Sequence, residues 1–334
     1  MIWRHRTPYG TVRVLLAWLF SLCLCAAILY QLRNDQEKLF RILYISPLYL
    51  FFLSALRASI FIPPGISRKL MAERLGIRLA FVDWYGLLIV TNLISLAIPA
   101  RGDLALSALY LRKKYSLPIT HFISMLYGST ILLILCLSIT GIFCMALIAA
   151  QGVTLDNRIL GIVATCGVLS LFLGGLPPSL FRGENWIMRK LRAALEGWIH
   201  LRSDKTLLTK LTFLTLSGIV LISLWMYASY RMLGFEISVL SATVTGVIFQ
   251  MSFIISITPG NLGLREALLG FTSQVLGLGF AEGVAVALLQ RAVSILVILC
   301  LGGIFSAFVM RSLTSIVNSK VSEEKSADEQ ALQP

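Results

Sequence analysis

Two breaks rich in Pro and Gly, each at the end of a long apolar run, carry the charged residues that could do chemistry. A charge inside an apolar run is expensive to bury, so it usually faces a cavity or a partner. The sequence therefore predicts that Arg101, Asp103, Arg265, Glu266 and Arg291 meet in one polar cavity. The first break reads Pro99-Ala100-Arg101-Gly102-Asp103, and the second reads Pro259-Gly260-Asn261-Leu262-Gly263-Leu264-Arg265-Glu266, with Arg291 in the apolar run that follows.

Both breaks suit an anionic ligand such as a phosphate. A helix that begins after a break points its free amide groups and the positive end of its dipole at that break. Arginine adds planar, bidentate donors for the same anion. Gly102, Gly260 and Gly263 allow the backbone to approach a ligand closely, and Asn261 is a suitable cap for the second helix.

Charge pairing within each break is the competing hypothesis. Arg101 with Asp103, and Arg265 with Glu266, would then only brace the helices that carry them. The two hypotheses are compatible, because a bracing pair and a ligand-binding residue can occupy the same break.

Further basic residues lie close to the first break. Arg112, Lys113 and Lys114 are either anchors that extend to the membrane surface or a site that captures an anionic headgroup at the mouth of the cavity. Arg57, shortly before the Pro63-Pro64 turn, is predicted to be an end anchor of the first kind.

Residues for catalysis or metal binding lack the spacing that such sites need. His5, His121 and His200 are scattered, and the chain has no nucleophile motif and no phosphate-cradling Walker loop. The six cysteines all lie in apolar runs, without the spacing of a disulfide framework or a zinc site. We predict a protein that is not an enzyme, with no catalytic residue, no metal and no cofactor.

Composition defines the elements that must position these breaks. Of 334 residues, 57% are hydrophobic and only 13% are charged, too few to coat a water-soluble protein of this size. This excludes a soluble enzyme, a DNA-binding domain and a disordered protein. The net charge of +13 is spread over short loops, which favours membrane lipids with anionic headgroups, and not nucleic acid, as partners.

Long unbroken apolar runs predict an all-α integral membrane protein with about eight transmembrane helices. Residues 1–310 form one polytopic membrane domain, and residues 311–334 a polar, disordered cytoplasmic tail. A basic segment before the first run predicts a cytoplasmic amino terminus. The predicted spans are 12–32, 40–62, 79–99, 119–150, 159–181, 207–233, 237–258 and 282–310.

The two breaks are predicted to form re-entrant half-helices, at about 99–118 and 259–279. A helix over 103–116 would be about 21 Å long, against a hydrocarbon core of about 30 Å, so it cannot cross. Two similar octapeptides lie in the apolar runs that follow the breaks, TILLILCL at 130–137 and SILVILCL at 294–301. Their similarity suggests an internal repeat.

A third unusual segment, at about 184–202, predicts an interfacial amphipathic helix. It places Ile187, Leu191, Leu195 and Trp198 on one face, away from its basic residues. Tryptophans at both ends favour contact with lipid headgroups.

The two breaks resemble motifs of the flippase-like membrane family that includes the transmembrane domain of lysylphosphatidylglycerol synthetase, the multiple peptide resistance factor. In that family a Pro-Gly-Arg-x-Gly-Asp/Glu element precedes a short basic helix, and a Pro-Gly-Gly-x-Gly-x-x-Glu element precedes the final span. The likeness extends over essentially the whole chain, with Gln290-Arg291 downstream of the second motif. One residue is missing between Arg101 and Gly102, and Asn261 replaces a usual glycine.

The resemblance implies lipid translocation between the leaflets of a bacterial-type cytoplasmic (inner) membrane. The substrate would be an anionic phospholipid, an aminoacylated phospholipid or a polyprenyl-phosphate-linked glycan. Two alternatives remain open: a non-transporting scaffold that partners a lipid-modifying enzyme or a glycosyltransferase, and a secondary transporter of a small anion.

Overall fold

A computed structural model describes residues 41–97, 102–152, 157–177, 186–253 and 261–331, together with residue 179 and separate positions between 19 and 38. These residues form helices and connecting turns, and they contain no strand. From residue 41 onward, the described α-helices are α1 Pro47–Ser59, α2 Ile62–Arg74, α3 Leu87–Ala97, α4 Gly102–Tyr115, α5 Ile119–Ala150, α6 Asn157–Gly175, α7 Trp186–Ser203, α8 Lys205–Met232, α9 Val239–Ser252, α10 Leu264–Val275 and α11 Phe280–Ala331.

Several of these helices can cross a membrane, so the chain is an all-α, multi-pass membrane protein, as the composition predicts. Large apolar side chains on α6, among them Val168 and Phe172, are exposed where a soluble protein would be polar. The number of eight spans stays a prediction. The described helices that are long and apolar enough to span are Pro47–Arg74, Ile119–Ala150, Arg158–Gly175, Lys205–Met232 and Phe280–Ser312.

The first broken segment folds back on itself. It starts with a π-helical turn, Val82–Gly86, continues through α3, and returns through α4. The backbone amide of Ala80 donates a hydrogen bond to the Tyr115 hydroxyl at 3.4 Å. The two ends of this segment, which we call hairpin 1 (residues 82–115), therefore lie at the same end of the bundle.

The second broken segment has the same form. α9 ends at Ser252, earlier than the predicted run 237–258, and α10 returns after the break. Tyr230, at the end of α8, forms a hydrogen bond with Ser273, near the end of α10. The entrance and exit of hairpin 2 (residues 239–275) are thus also close together.

The order of elements repeats along the chain. A long helical element precedes each hairpin, α1 with α2 in one case and α8 in the other, and a long helix follows it, α5 or α11. The first arm of each hairpin packs on the long helix of the other half: α3 packs on α11, where Gly302 contacts Leu93, and α9 packs on α5, where Gly141 contacts Val247. This reciprocal packing supports the internal repeat that the two similar octapeptides suggest.

The amphipathic helix α7 packs part of its apolar face on protein, and its position at the membrane interface stays a prediction. Trp198 is buried against Gly128 of α5, and its Nε1 donates to the carbonyl of Gly174 at 3.4 Å. Leu195 is also buried. The side chains of Ile187 and Leu191 lie outside the described residues.

The last helix, α11, continues to Ala331, through a tail that the polar composition predicts to be disordered. The tail sequence VSEEKSADEQA consists largely of residues with good helix propensity, so the helix continues once α11 has nucleated it.

Candidate functional site

The second break is shaped by two residues in the left-handed backbone region. Asn261 has φ of 53° and Gly263 has φ of 84°, and α10 begins directly afterwards at Leu264. The Glu266 side chain turns back and accepts a hydrogen bond from the Gly263 amide at 2.8 Å. Glu266 therefore caps α10, while the Asn261 side chain, expected to be the cap, donates instead to the carbonyl of Ser252 at 3.1 Å.

Glu266 also pairs with an arginine on the next helix. Nε of Arg291 on α11 donates to Oε1 of Glu266 at 2.6 Å, and Nη2 of Arg291 donates to the Asn261 carbonyl at 3.2 Å. The bracing partner of Glu266 is thus Arg291 and not its neighbour Arg265, because adjacent residues on a helix point in different directions. This pair ties the break to α11.

Arg265 is left without a described hydrogen-bond partner for two of its nitrogens. Its side chain is only 6% exposed, and its guanidinium lies 4.1 Å from the ring centroid of Phe249 and 5.7 Å from that of Phe253. Nε and Nη2 of Arg265 are buried and donate no hydrogen bond to the described residues. A cation–π contact recovers about 2 kcal/mol in a dry site, less than the cost of burying an unpaired charge.

Arg57, in the last turn of α1, is in the same situation. It is 8% exposed and lies 4.5 Å from the Phe61 ring centroid and 5.4 Å from that of Trp225. Its Nε has no hydrogen-bond partner in the part of the chain that the structure describes. The prediction of a membrane-surface anchor is therefore wrong: Trp225 and Phe61 cover the side chain.

The two buried arginines belong to one cluster. The rings of Trp225 and Phe249, which face Arg57 and Arg265 respectively, meet edge to face at 5.8 Å. Arg57 and Arg291 both repel the Arg265 charge, while Glu266 attracts it. We call Arg57, Arg265, Arg291 and Glu266 the arginine cluster; three positive charges and one negative charge leave an excess of two positive charges among these residues. An anion is the ligand that this excess favours.

The other predicted site residues are less well defined. Gly102 is the first residue of α4, and Arg112 is exposed on that helix. Arg101, Pro259 and Gly260, and the side chain of Asp103, lie outside the described residues. Convergence of the first break with the arginine cluster stays a prediction.

A second polar cluster, which the sequence did not predict, joins the two arms of hairpin 1. Asp83, wholly buried in the π-helical turn, accepts hydrogen bonds from Nζ of Lys114 at 2.8 Å, from the Tyr110 hydroxyl at 2.6 Å, and from the Tyr115 hydroxyl. Nζ of Lys114 also donates to the Tyr110 hydroxyl at 3.2 Å, so its charge is held by two groups of the cluster. Lys114 therefore braces the hairpin, unlike its exposed neighbour Lys113.

An open pocket of about 240 Å³ lies away from both clusters, between the end of α2 and the start of α8. Its charges alternate in sign, and Arg74 pairs with Asp204 there at 3.2 Å. It offers no excess charge comparable to that of the arginine cluster.

This geometry defines a class of protein: a polytopic helical membrane protein with two hairpins and a buried cationic cluster. The chain belongs to the family described as the lysylphosphatidylglycerol synthase TM region, whose model matches residues 11–302. That match covers both hairpins and every residue of the arginine cluster, and it associates this membrane domain with lipid handling. No curated protein and no solved structure matches the chain.

Proposed function

We propose that this protein moves lipids with an anionic headgroup between the leaflets of a bacterial-type cytoplasmic membrane. The observation that carries the proposal is the pair of arginines, Arg57 and Arg265, which are buried within a membrane domain and lack a described carboxylate partner. Such charges are costly unless a ligand neutralises them. The family match, to the membrane region of a lipid-synthesising enzyme, supports a lipid as that ligand.

For this function the site must bind an anionic headgroup and release it again. Nε and Nη2 of Arg265 and Nε of Arg57 are donors that a phosphate oxygen can accept from. The Glu266–Arg291 pair holds the start of α10 on α11, so that Arg265 keeps its position. A headgroup that binds there leaves water but is surrounded by cationic side chains. This lowers the free-energy barrier for moving the headgroup across the hydrocarbon core.

Transport in liposomes tests the proposal directly. The purified chain is reconstituted with fluorescently labelled phosphatidylglycerol, and the fraction of label accessible to an external quencher is followed over time. Arg265→Gln removes charge-assisted hydrogen bonds worth about 1.5 to 3 kcal/mol, so we expect transport at limiting lipid to fall about 10- to 150-fold. Arg231→Gln, an exposed arginine at the end of α8, is the matched control and should transport normally.

The outcome also separates the alternatives. If the folded wild-type protein binds the lipid but moves none of it, the result would reject the flippase and support the scaffold. Exchange of a small anion without lipid movement would indicate a secondary transporter.

A further inference from the structure

The charge of the arginine cluster sets a condition on the ligand. Glu266 and Arg291, 2.6 Å apart, neutralise each other, and this leaves the charges of Arg57 and Arg265. The loop 254–260 contains no ionisable residue, so it adds no counter-charge. Arg101 and Asp103 carry opposite charges, so the first break adds no net charge either. The ligand that balances the cluster carries two negative charges.

The unpartnered donors agree with this charge balance. Within the described residues, Nε of Arg57, Nε and Nη2 of Arg265, and Nε1 of Trp225 are buried and make no hydrogen bond. All four can only donate, and Trp225 faces Arg57. A phosphate with several free oxygens can accept from such a set, whereas a phosphodiester has only two non-bridging oxygens and a single charge.

We propose that the arginine cluster selects a terminal phosphate that carries two negative charges, as a phosphomonoester does. The second pKa of a phosphomonoester is about 6, so the group is largely a dianion at neutral pH. A phosphodiester leaves one buried arginine uncompensated, and an aminoacylated headgroup adds positive charge to a site already in excess. The inference rests on the proposed function only in taking a lipid as the bearer of this phosphate.

Arg57 is the residue that distinguishes a dianionic phosphate from a monoanionic one. Arg265 alone balances one negative charge, and Arg57, contributed by α1 from the other end of the sequence, balances the second. Removing Arg57 should therefore weaken the binding of a dianion strongly and the binding of a monoanion little.

A binding comparison on the full chain in detergent tests this. Phosphatidic acid, a phosphomonoester, and phosphatidylglycerol, a phosphodiester, are titrated with the same acyl chains. We expect phosphatidic acid to bind at least about tenfold more tightly to the wild type. In Arg57→Gln its affinity should fall about 10- to 150-fold, to near that of phosphatidylglycerol, while Arg231→Gln keeps the wild-type preference.

Inorganic phosphate and pyrophosphate distinguish the source of the anion. Either of them displacing phosphatidic acid at comparable concentration would support the dianion site and assign a free phosphate as its ligand. Failure of both to displace it would support the site and assign the lipid.

Equal or tighter binding of phosphatidylglycerol by the wild type would overturn the inference, and this comparison needs no variant to fold. So would a preference for phosphatidic acid that survives in folded Arg57→Gln. The transport assay and the binding comparison test different claims. Lipid movement without a preference for dianions would reject this inference alone. A preference for dianions without lipid movement would reject the proposed function alone.

Discussion

Asp83 and Lys114 differ in how much water each can reach, and this difference predicts how hairpin 1 responds to mutation. The Asp83 side chain is wholly buried, whereas that of Lys114 is 26% exposed. Lys114→Met leaves a buried carboxylate with only two tyrosine hydroxyls, which costs about 3 kcal/mol. Asp83→Asn leaves a lysine that can turn to water, so we expect a smaller loss. Thermal unfolding of the detergent-purified variants measures both.

The exposed Lys69–Glu73 pair, at 3.7 Å, is the control for this comparison. Lys69→Met should cost less than about 1 kcal/mol because surface pairs contribute little. Loss of stability in the Asp83→Asn/Lys114→Met double variant should be smaller than the sum of the two single losses. Additive losses would mean that the two residues act independently.

The sequence predicted part of the arginine cluster and missed the rest for a physical reason. Arg265, Glu266 and Arg291 stand out because they interrupt apolar sequence next to a break. Arg57 gives the same local signal as a surface anchor, and its burial depends on Trp225, which is distant in sequence. Asp83 likewise lies 31 residues from Lys114, its partner.

At the scale of elements, α10 approaches α11 so closely that only glycine fits at one position. A methyl group on Gly283 would lie 2.3 Å from the backbone carbonyl oxygen of Leu269. Gly283→Ala must therefore push α10 away from α11, and we expect a loss of about 1 to 3 kcal/mol in thermal unfolding.

Gly303→Ala, on the same helix, is the matched control. A methyl group at Gly303 meets no atom within 4 Å, and alanine favours a helix by up to about 1 kcal/mol over glycine. If Gly283→Ala were as stable as Gly303→Ala, the close contact between α10 and α11 would be refuted.

Helix type and approximate position follow from the apolar runs, but the partner of each apolar face does not. Lipid tails and the protein interior are equally apolar, so a pattern cannot tell them apart. This explains why the sequence of α7 does not reveal that Trp198 packs on α5. The run 237–258 is likewise apolar throughout, and it does not reveal that α9 ends at Ser252.

At the scale of the whole molecule, the repeat implies an inverted topology. If each hairpin returns to the side it entered, then three crossings separate the start of the first half from that of the second: α1 with α2, α5, and α6. α7 carries too many charges to cross. An odd number of crossings gives the two halves opposite orientations, as in transporters built from inverted repeats.

Cysteine accessibility in sealed vesicles tests this topology, with single cysteines introduced after the six native ones are replaced. Arg78 and Ser116 flank hairpin 1, Glu236 and Gln274 mark the entrance and exit of hairpin 2, and all four are exposed. We expect cysteines at 78 and 116 to react with an impermeant reagent from one side, and cysteines at 236 and 274 from the other.

Val168→Cys, on the exposed apolar face of α6, is the control and should react from neither side, because lipid shields that face. Within a pair, reaction from one side or from two shows whether the segment between the cysteines crosses the membrane.

Reaction at 78 and 116 from opposite sides would show that the first broken segment crosses the membrane. Reaction of all four positions from one side would make the two halves parallel, and the hairpins would then enter from the same leaflet. Opposite entry is the arrangement expected for the proposed lipid site, because two hairpins that enter from opposite leaflets would make one site accessible from both.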